Sequence, residues 1–381
     1  MTITIVCGFL LPVPPVAGGA MEKMWWRLAR LYVRRGHQVT LISRRWPGWL
    51  DDETIDGVRL LRVAGFDHRK KLWQNLLLDA VWGVRVLRAL PPADILITNT
   101  LALPVFVRQL RPRAGVLVVN VNRFPKGQVR WYRRAARIQA ASGIIASAAA
   151  AQAPARAAVI RTVPNPVDCS LFSGPAPARD PAAPLAIGFM GRIHPEKGLL
   201  TLAAAAAKLA GETDLPPWRI VLRGPTEVAR GGGGADFVAR LQAAGPELWR
   251  DGRLTVAPSL TDPAELAGAY RLLDVFCYPT EAAEGEAHPI AVLEAMAAGL
   301  PVVATDLPCF ADQLRSGQNS LLVPPQDAAR LATALARLLR DPALRRALGK
   351  QARAAIWALD DGVIADQHLA DYEALLHAAR R

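Results

Sequence analysis

The chain has 381 residues, 51% of them hydrophobic, which is long enough for two domains and apolar enough to exclude an intrinsically disordered protein. Residues 1–175 hold 25 Lys and Arg against 9 Asp and Glu, so the first half accounts for the formal net charge of +13. This asymmetry favours an anionic partner there: lipid head groups, an acidic or phosphorylated acceptor, or nucleic acid.

The cysteines and the N-terminal residues indicate a cytoplasmic protein. The four cysteines lie far apart without a CxxC pair, which excludes a zinc knuckle and is typical of reduced thiols. The apolar residues 1–12 lack a basic n-region, so they predict a first buried strand and not a signal peptide. Since no apolar run reaches the ~18–20 residues needed to span a bilayer, we expect at most peripheral binding to the inner face of the cytoplasmic membrane.

Short apolar runs alternate with helical stretches through the first half of the chain. The sequence predicts strands at Thr2–Phe9, Val39–Ser43, Val58–Val63, Asp94–Thr98, Val116–Val121, Gly143–Ala146 and Ala158–Val163. Helices are predicted at Met21–Arg35 and Lys71–Leu90. Near-continuous apolar strands between helices indicate a parallel sheet that is covered on both faces.

The second half repeats this alternation. Strands are predicted at Leu185–Met190, Arg219–Arg223, Leu254–Ala257, Val275–Tyr278, Pro301–Ala304 and Ser320–Val323. Helices are predicted at Gly198–Ala210, Pro263–Leu273, Pro289–Ala298 and Ala328–Leu339. Two such units in tandem predict two Rossmann-like domains of α/β class.

A change in composition marks the boundary between the domains. Pro164–Pro184 is rich in proline and has no hydrophobic period, as is typical of an interdomain linker. We therefore predict an N-terminal domain at 1–172 and a C-terminal domain at 183–355. The loop Gly231–Gly234 is assigned no role, because no strand precedes it and no Lys-Ser/Thr follows it, as a phosphate loop requires.

Two carboxylates eight positions apart, Glu286 and Glu294, flank a predicted helix start. Pro289 suits the first helical turn, and the first backbone N–H groups of a helix form an anion site. This arrangement suits a ligand that carries both hydroxyls and phosphate. The alternative is an ordinary helix that follows a solvated acidic loop.

Two further segments lie between a predicted strand and a predicted helix. Gly18 and Gly19 permit close backbone approach to a ligand, or they form only a tight turn. Arg192 and Lys197 both follow the carboxyl end of a strand, where open α/β sheets bind ligands. Two cations at this point could neutralise a diphosphate leaving group, although single Lys and Arg side chains are usually solvated.

Together these motifs resemble those of the retaining GT-B glycosyltransferases of family 4. The resemblance is carried by Gly18-Gly19, Arg35–Thr40, Val163–Asp168, Gly191–Gly198, and Glu286-x7-Glu294 followed by Ala-Met-Ala-Ala-Gly. It covers nearly the whole chain, and its second-domain motifs are the more specific. It implies the GT-B architecture: two Rossmann-like parallel-sheet domains facing across a cleft, with a last helix at about 356–381 that packs back on the first domain.

The resemblance also implies roles for individual residues. Arg192 and Lys197 would bind the donor diphosphate, Glu286 the hydroxyls of the transferred sugar, and Glu294 the ribose. The implied donor-binding set is Gly18, Gly19, Gly191, Arg192, Lys197, Glu286, His288, Pro289, Ile290 and Glu294, of which Glu286, Arg192 and Lys197 would act in catalysis. The two glutamates would hold and orient the donor and are not assigned as an acid/base couple.

The chain departs from the family pattern at two positions. Where relatives carry Glu-Gly-Phe-Gly, this chain has Glu286-Ala-His288-Pro289, so His288 either reaches the sugar or fills the space of an aromatic side chain. Where many relatives carry a histidine, this chain has Asn122, which with Arg123 and Lys126 is the expected acceptor region. Asn122 would only orient groups by hydrogen bonding, since in a retaining front-face transfer the leaving phosphate can take the acceptor's proton.

The resemblance thus implies a retaining, metal-independent hexosyltransferase of class EC 2.4. The donor would be a nucleotide diphosphate sugar, with UDP- and GDP-linked sugars favoured, and no cofactor is expected. The acceptor would be a glycan, a lipid-linked acceptor or another molecule at or near a membrane surface. The alternatives are a nucleotide-sugar epimerase or hydrolase on the same scaffold and a non-catalytic anion-binding module; no nucleic acid is expected, because nucleic-acid motifs are absent.

Tryptophan accompanies the basic residues of the first half. Met24–Arg35 and His68–Arg88 mix cations with tryptophan at helical spacing, and Arg130, Arg133, Arg134 and Arg137 are predicted to share one helical face. These patterns suit helices that lie in a lipid interface. They also suit core-facing aromatic stripes with a solvated basic side, and the sequence leaves both interpretations open.

Overall fold

A computed structural model of the chain describes residues 1–69, 71–175, 180 and 182–380. Internal contacts divide the chain into unit 1, which is Met1–Pro166 together with the residues from Asp361 onward, and unit 2, which is Val167–Asp360. The sequence had predicted bounds of 1–172 and 183–355. Part of the predicted linker, residues 176–179 and 181, lies outside the described residues, as does Lys70 of the basic stretch.

Unit 1 is an eight-stranded sheet with helices. Its strands are β1 (Thr2–Val6), β2 (Gln38–Arg44), β3 (Asp52–Ile55), β4 (Val58–Val63), β5 (Ile95–Thr98), β6 (Val116–Val121), β7 (Arg137–Ala140) and β8 (Ile160–Thr162). Its helices are α1 (Ala20–Arg34), α2 (Leu72–Ala89), α3 (Leu103–Leu110), α4 (Gly143–Gln152) and the last helix of the chain, which is α13 (Asp361–Arg380). The strand order is β3-β4-β2-β1-β5-β6-β7-β8, and among the described strands only the β3–β4 pair is antiparallel.

The core of unit 1 follows from the apolar strands at the centre of its sheet. Ile5 of β1 is paired with Leu41 of β2 on one side and Ile97 of β5 on the other, and all three are fully buried. Continuous apolar strands of this kind need cover on both faces. Trp25 and Tyr32 of α1 belong to the same buried cluster.

Helix α13 belongs to unit 1 by its contacts. The Tyr32 hydroxyl lies 2.5 Å from Nδ1 of His368, and Tyr372 is fully buried in the cluster that contains Trp25. Arg137 of β7 donates two hydrogen bonds to Asp371, at 2.6 and 2.8 Å. Apolar and ionic contacts together therefore hold the end of the chain against the N-terminal sheet.

Unit 2 is a six-stranded sheet in the order β11-β10-β9-β12-β13-β14, parallel throughout. Its strands are β9 (Leu185–Met190), β10 (Trp218–Arg223), β11 (Leu254–Ala257), β12 (Val275–Tyr278), β13 (Val302–Thr305) and β14 (Ser320–Val323). Its helices are α5 (Cys169–Phe172), α6 (Leu199–Ala210), α7 (Gly234–Ala243), α8 (Pro246–Arg250), α9 (Pro263–Arg271), α10 (Ile290–Ala297), α11 (Ala328–Arg340) and α12 (Pro342–Ile356).

The two α/β parallel-sheet domains predicted from the sequence are confirmed, with corrections in the first half. The predicted strand at Gly143–Ala146 is wrong, because these residues begin α4. Strands β3 and β7 were not predicted. The predicted basic helical face at 130–137 is also wrong, since a short 3-10 turn ends at Trp131 and Arg137 begins β7.

The tryptophans of the two basic stretches have different environments. Trp25 is buried in α1 and donates a hydrogen bond to Asn99, so the core-facing interpretation holds for that residue. Trp82 of α2 is fully buried, whereas Trp73 of the same helix is 61% exposed. Within the described residues, no helix is long and apolar enough to span a membrane.

All four cysteines are buried and free of disulfide bonds. Cys7 follows β1 in unit 1, whereas Cys169, Cys277 and Cys309 lie in unit 2. Burial raises the pKa of the Cys7 thiol well above its ordinary value and raises the pKa of Cys309 to about 12. All four thiols are therefore inaccessible in the folded chain, and those of Cys7 and Cys309 are protonated at neutral pH.

Candidate functional site

The chain order of the unit 2 sheet reverses at β9. Strands β9, β10 and β11 run outward in one direction, and β12 then returns to pair with β9 on its other side. In open α/β sheets, ligands bind outside the carboxyl ends of strands at such a switch point. The loops that follow β9 and β12 carry Arg192, Lys197 and Glu286, so the topology brings these predicted residues together.

Lys197 and Glu286 form a buried ion pair at this switch point. The Lys197 ammonium donates to Oε1 of Glu286, and the two residues are 6% and 7% exposed. Removing one partner of a buried pair costs about 3–5 kcal/mol, because the other charge is left without compensation. The pair therefore holds both side chains in one geometry.

Two hydroxyl groups complete the surroundings of Glu286. Tyr278, the last residue of β12, and Thr280 donate to the same Oε1 atom, at 3.0 and 3.2 Å. Thr305 donates to the Thr280 carbonyl at 2.6 Å, which ties the loop after β12 to the end of β13. The Glu286 carboxylate is thus oriented by a cation and two hydroxyls before any ligand arrives.

Arg192 is held by partners of its own. It forms an ion pair with Glu196 at 2.5 Å and donates to the Gly231 carbonyl at 2.9 Å. Burial alone would raise the pKa of Glu196, but the charges of Lys197 and Arg192 outweigh it and hold that pKa below its ordinary value. The prediction that the loop Gly231–Gly234 has no role is thereby corrected, because this loop positions Arg192.

The N-terminus of α10 lies between the two predicted glutamates. Pro289 occupies the position before the first helical residue, Ile290, and the first amides of a helix have no intrahelical partner. Glu294, one turn further on, accepts a hydrogen bond of 2.8 Å from the Tyr270 hydroxyl and is 8% exposed. The N-terminus of α10 is therefore flanked by two oriented carboxylates, and anion binding there stays a prediction.

His288 is buried between these glutamates. It is 4% exposed, and burial lowers its pKa to about 4, with the charge of Asp312 acting in the opposite direction. The ring is therefore neutral at pH 7. A neutral buried imidazole fills space as an aromatic ring does and keeps one donor and one acceptor nitrogen.

In unit 1 the predicted glycines form the turn before α1. Gly18 and Gly19 both have positive φ angles, of 85° and 93°. A Cβ atom at Gly19 would overlap the Glu22 carboxylate, so only glycine fits beside this side chain. Glu22 is 7% exposed, and burial raises its pKa to about 7, although the charge of Arg123 acts to lower it.

The predicted acceptor residues follow β6 in the same unit. Asn122 is half-buried and donates to the Met21 sulfur at 2.6 Å, which connects it to α1. Arg123 and Lys126 are exposed, and Arg123 is near enough to Glu22 to affect its pKa. The structure brings Asn122 and Arg123 to the Gly18-Gly19 turn, whereas Lys126 has no described side-chain contact with it.

Four residues that contact the predicted site residues were not predicted from the sequence. Tyr278 and Thr280 hold Glu286, Tyr270 holds Glu294, and Glu22 lies under the Gly18-Gly19 turn. The position of Tyr278 at a strand end was the only signal that pointed to any of them. Over the described part of the chain, no group of three or more His, Cys, Asp or Glu side chains is arranged to hold a metal ion.

Two family models match the chain. "Glycosyltransferase Family 4" matches residues 17–171, and "Glycosyl transferases group 1" matches residues 178–355. Among curated proteins, a phosphatidyl-myo-inositol mannosyltransferase from Mycobacterium leprae is 36% identical over 55% of this chain and 52% of its own length. A D-inositol 3-phosphate glycosyltransferase from Corynebacterium jeikeium is 33% identical over 44% of this chain and 38% of its own length. The chain spans about half the length of the first curated relatives it matches.

Solved structures share the fold over nearly the full chain. Sucrose-phosphate synthase from Thermosynechococcus elongatus has a TM-score of 0.81 at 24% identity, over 99% of this chain and 100% of that one. Anabaena Alr3699/HepE in complex with UDP-glucose has a TM-score of 0.73 at 18% identity, over 98% of this chain and 100% of that one. At these identities the likeness shows the fold alone.

Proposed function

Since the chain belongs to the group 1 glycosyl transferases of family 4, with the GT-B fold, we propose that it moves a sugar from a nucleotide diphosphate sugar to an acceptor. The observation that carries this proposal is the buried Lys197–Glu286 pair at the switch point of the unit 2 sheet. In such a donor, the transferred sugar and the diphosphate are bonded neighbours. At the junction of the two, the Glu286 carboxylate would accept hydrogen bonds from the sugar, and the neighbouring Lys197 ammonium would bind the diphosphate.

In the proposed donor site, each residue acts on one part of the ligand. Arg192 and Lys197 bind the diphosphate, and the first amides of α10, at Ile290, meet a phosphate. Glu286 accepts hydrogen bonds from sugar hydroxyls, and Glu294 does the same for the ribose. His288 is assigned to packing beside Glu286, because a buried neutral ring carries no charge to the ligand.

The proposed chemistry is a retaining transfer that needs no metal ion or cofactor. The bond between the anomeric carbon and the diphosphate oxygen breaks, and the bond to the acceptor oxygen forms on the same face of the sugar. The acceptor's proton goes to the departing phosphate oxygen. Arg192 and Lys197 stabilise the negative charge that develops on this phosphate, which is the electrostatic part of the catalysis.

We assign the acceptor to unit 1 and place it at or near a membrane surface on the cytoplasmic side. Two observations support this assignment: the +16 formal charge of residues 1–175, and the inositol phospholipid in the name of the Mycobacterium leprae relative. Asn122 and Arg123 beside the Gly18-Gly19 turn are the proposed acceptor contacts. UDP- and GDP-linked sugars are the first donors to test.

A test of the donor site combines ligand binding with turnover. A ligand that binds only the folded protein raises the temperature of unfolding, so a thermal-shift screen of nucleotide sugars identifies the donor. With that donor, we expect Glu286→Gln and Lys197→Met to lower the rate of transfer by about a hundredfold or more, the usual effect of losing one electrostatic contact to a transition state. Transfer to lipid-linked and soluble glycan acceptors is measured in parallel.

Glu284→Gln is the matched control, because Glu284 is an exposed acid in the same loop. It should leave donor binding and rate unchanged. The proposal fails if Glu286→Gln and Lys197→Met, folded as judged by circular dichroism, transfer sugar at the wild-type rate. Rapid consumption of donor without any acceptor would instead support a hydrolase, and inversion at the anomeric carbon would contradict a retaining transfer.

A further inference from the structure

Helix α2 is apolar on both of its faces. Its buried face includes Trp82, Val86 and Leu87, which pack within unit 1. Its outer face exposes the large hydrophobic side chains Trp73, Leu77, Val81 and Val84, and Leu72 and Leu76 are exposed at its N-terminal end. A helix on the surface of a globular protein normally presents charged or polar residues to water, so this outer face indicates a missing partner.

Four of these exposed residues form one continuous stripe. Trp73, Leu77, Val81 and Val84 recur at intervals of three or four residues, and the spacing continues to Arg88. Trp73 and Leu77 are 61% and 58% exposed. We call these four residues the α2 stripe; Leu72 and Leu76 lie beside it at the N-terminal end of the helix.

The charged residues next to the α2 stripe in the described part of the helix and its flanks are cations. Arg69 and Lys71 are exposed at its N-terminal end, and Arg85 and Arg88 lie at its C-terminal end. The one acidic residue of α2, Asp79, is buried and accepts hydrogen bonds from the amides of Leu101 and Ala102. The border of the stripe is therefore positively charged at both ends.

At the C-terminal end of the stripe, a depression of about 370 Å³ lies next to the carboxyl end of β4. The residues that line it are Arg45, Arg62, Val63, Ala64, Arg85, Arg88 and Ala89. Arg62 and Arg45 form ion pairs with Glu53 and Asp51. Within the described residues, no carboxylate forms an ion pair with Arg85 or Arg88, so the depression keeps an excess of positive charge.

We propose that the α2 stripe lies in the interface of an anionic lipid bilayer and that the arginine depression binds a lipid phosphate. An apolar helix face with tryptophan and flanking cations is the pattern of interfacial helices. A second copy of this chain fits less well, because an antiparallel pair of stripes would bring Lys71 of one copy beside Arg88 of the other. The inference deepens the proposed function, since it names the surface that brings the enzyme to a lipid-linked acceptor.

The test measures binding to vesicles by flotation. Wild-type protein should float with vesicles of phosphatidylcholine and phosphatidylglycerol, more weakly at high salt, and not with phosphatidylcholine alone. Trp73→Ser combined with Leu77→Ser should lower the partition coefficient by about tenfold or more, because the buried apolar area falls. The matched control is Leu272→Ser combined with Trp357→Ser, which removes exposed side chains of the same types from unit 2 and should change nothing.

A second pair of variants tests the depression. Arg45→Gln with Arg88→Gln should reduce binding by more than the about fivefold per charge expected of general attraction to the membrane. Arg133→Gln with Arg134→Gln removes the same charge from exposed positions elsewhere in unit 1 and measures that general effect. Equal losses in the two pairs would refute a phosphate site.

Several results would overturn the proposal. One is wild-type protein that stays unbound at low salt, and another is a Trp73→Ser, Leu77→Ser variant that floats like wild type. A dimer that this variant abolishes would assign the stripe to a second copy. Stabilisation by inorganic phosphate alone, lost in Arg45→Gln with Arg88→Gln, would assign the depression to a soluble anion.

The proposed function can fail independently of the membrane inference. Donor binding by thermal shift should be the same in the Trp73→Ser, Leu77→Ser variant and in wild type, because neither residue belongs to the proposed donor-binding set and most of that set lies in unit 2. Protein that floats but binds no nucleotide sugar would refute the function and leave the docking surface intact. Protein that binds donor but never floats would refute the docking surface alone.

Discussion

Glu22 is a buried carboxyl whose charge depends on pH near neutrality. Burial raises its pKa from 4.5 to about 7, so the folded protein holds the proton more tightly than the unfolded chain does. Stability from this group is therefore complete below about pH 4.5 and declines as the pH rises toward 7. At neutral pH, the ionised Glu22 destabilises unit 1.

Replacing Glu22 by glutamine should remove this pH dependence. Between about pH 5 and pH 8, the free energy of unfolding of wild type should fall relative to that of Glu22→Gln by roughly 2.5 kcal/mol, from about 1.4 kcal/mol for each pKa unit. Denaturant unfolding at both pH values gives this difference, in which the other titrating groups cancel. Glu247→Gln, at an exposed position, should show the wild-type dependence, and parallel curves for wild type and Glu22→Gln would contradict the assigned pKa.

The sequence allowed part of the candidate site to be predicted residue by residue. Arg192, Lys197 and Glu286 each follow the carboxyl end of a predicted parallel strand, so strand prediction places them at one edge of the sheet. The observed pairing of β9 with β12 then makes them neighbours. The contact of Tyr270 with Glu294 joins two helices, and no local pattern encodes the packing of one helix against another. The roles of all these residues in donor binding remain predictions.

At the scale of elements, the tight connection between β9 and α6 fixes the position of Lys197. Gly198 precedes α6 with a φ of +66°, and a Cβ atom there would overlap the carbonyl of Pro279. The left-handed conformation and this close approach both require glycine. The loop after β12 therefore lies directly against the residue that follows Lys197.

Gly198→Ala should destabilise unit 2 by at least about 1–2 kcal/mol, the cost of a left-handed conformation in a residue with a Cβ atom. The overlap with Pro279 should add to this cost and shift Lys197 relative to Glu286. Denaturant unfolding measures the first effect and donor affinity the second. Gly211→Ala at the other end of α6 is the control, since its φ of −81° suits alanine; equal stabilities of the two variants would refute the argument.

The elements missed in the first half have physical explanations. Gly143–Gln152 is rich in alanine and has no amphipathic period, so its first apolar residues looked like a short strand. Strand β3 contains Asp52 and Glu53 and lies at the sheet edge, where polar residues give little strand signal. Strand β7 begins with Arg137, whose partner Asp371 is distant in sequence.

At the scale of the whole chain, unit 2 begins and ends at adjacent residues. Val167 and Asp360 are bridge partners, and the Val167 amide donates to the Leu359 carbonyl at 3.0 Å. All the unit 2 residues proposed for donor binding lie between these two points. Unit 1, by contrast, is completed only by α13, whose Tyr372 and Ala365 belong to its buried cluster.

We expect residues 167–360, expressed alone, to fold and to bind the donor nucleotide, because the paired ends leave no strand without its neighbour. Thermal shift with the nucleotide diphosphate checks this outcome. Residues 1–166 without α13 should fail to unfold cooperatively, since the cluster around Tyr32 and Trp25 would be open to water. Cooperative unfolding of 1–166 would contradict the assigned role of α13.

The four buried thiols allow the unfolding of this chain to be followed by chemical labelling. A thiol reagent reacts only with a thiolate that it can reach, so the folded chain is protected at every cysteine. Modification of Cys7 therefore reports exposure of the first sheet, and modification of Cys277 reports exposure of the second. Mass spectrometry of the labelled peptides thus times the unfolding of each half separately within one intact molecule.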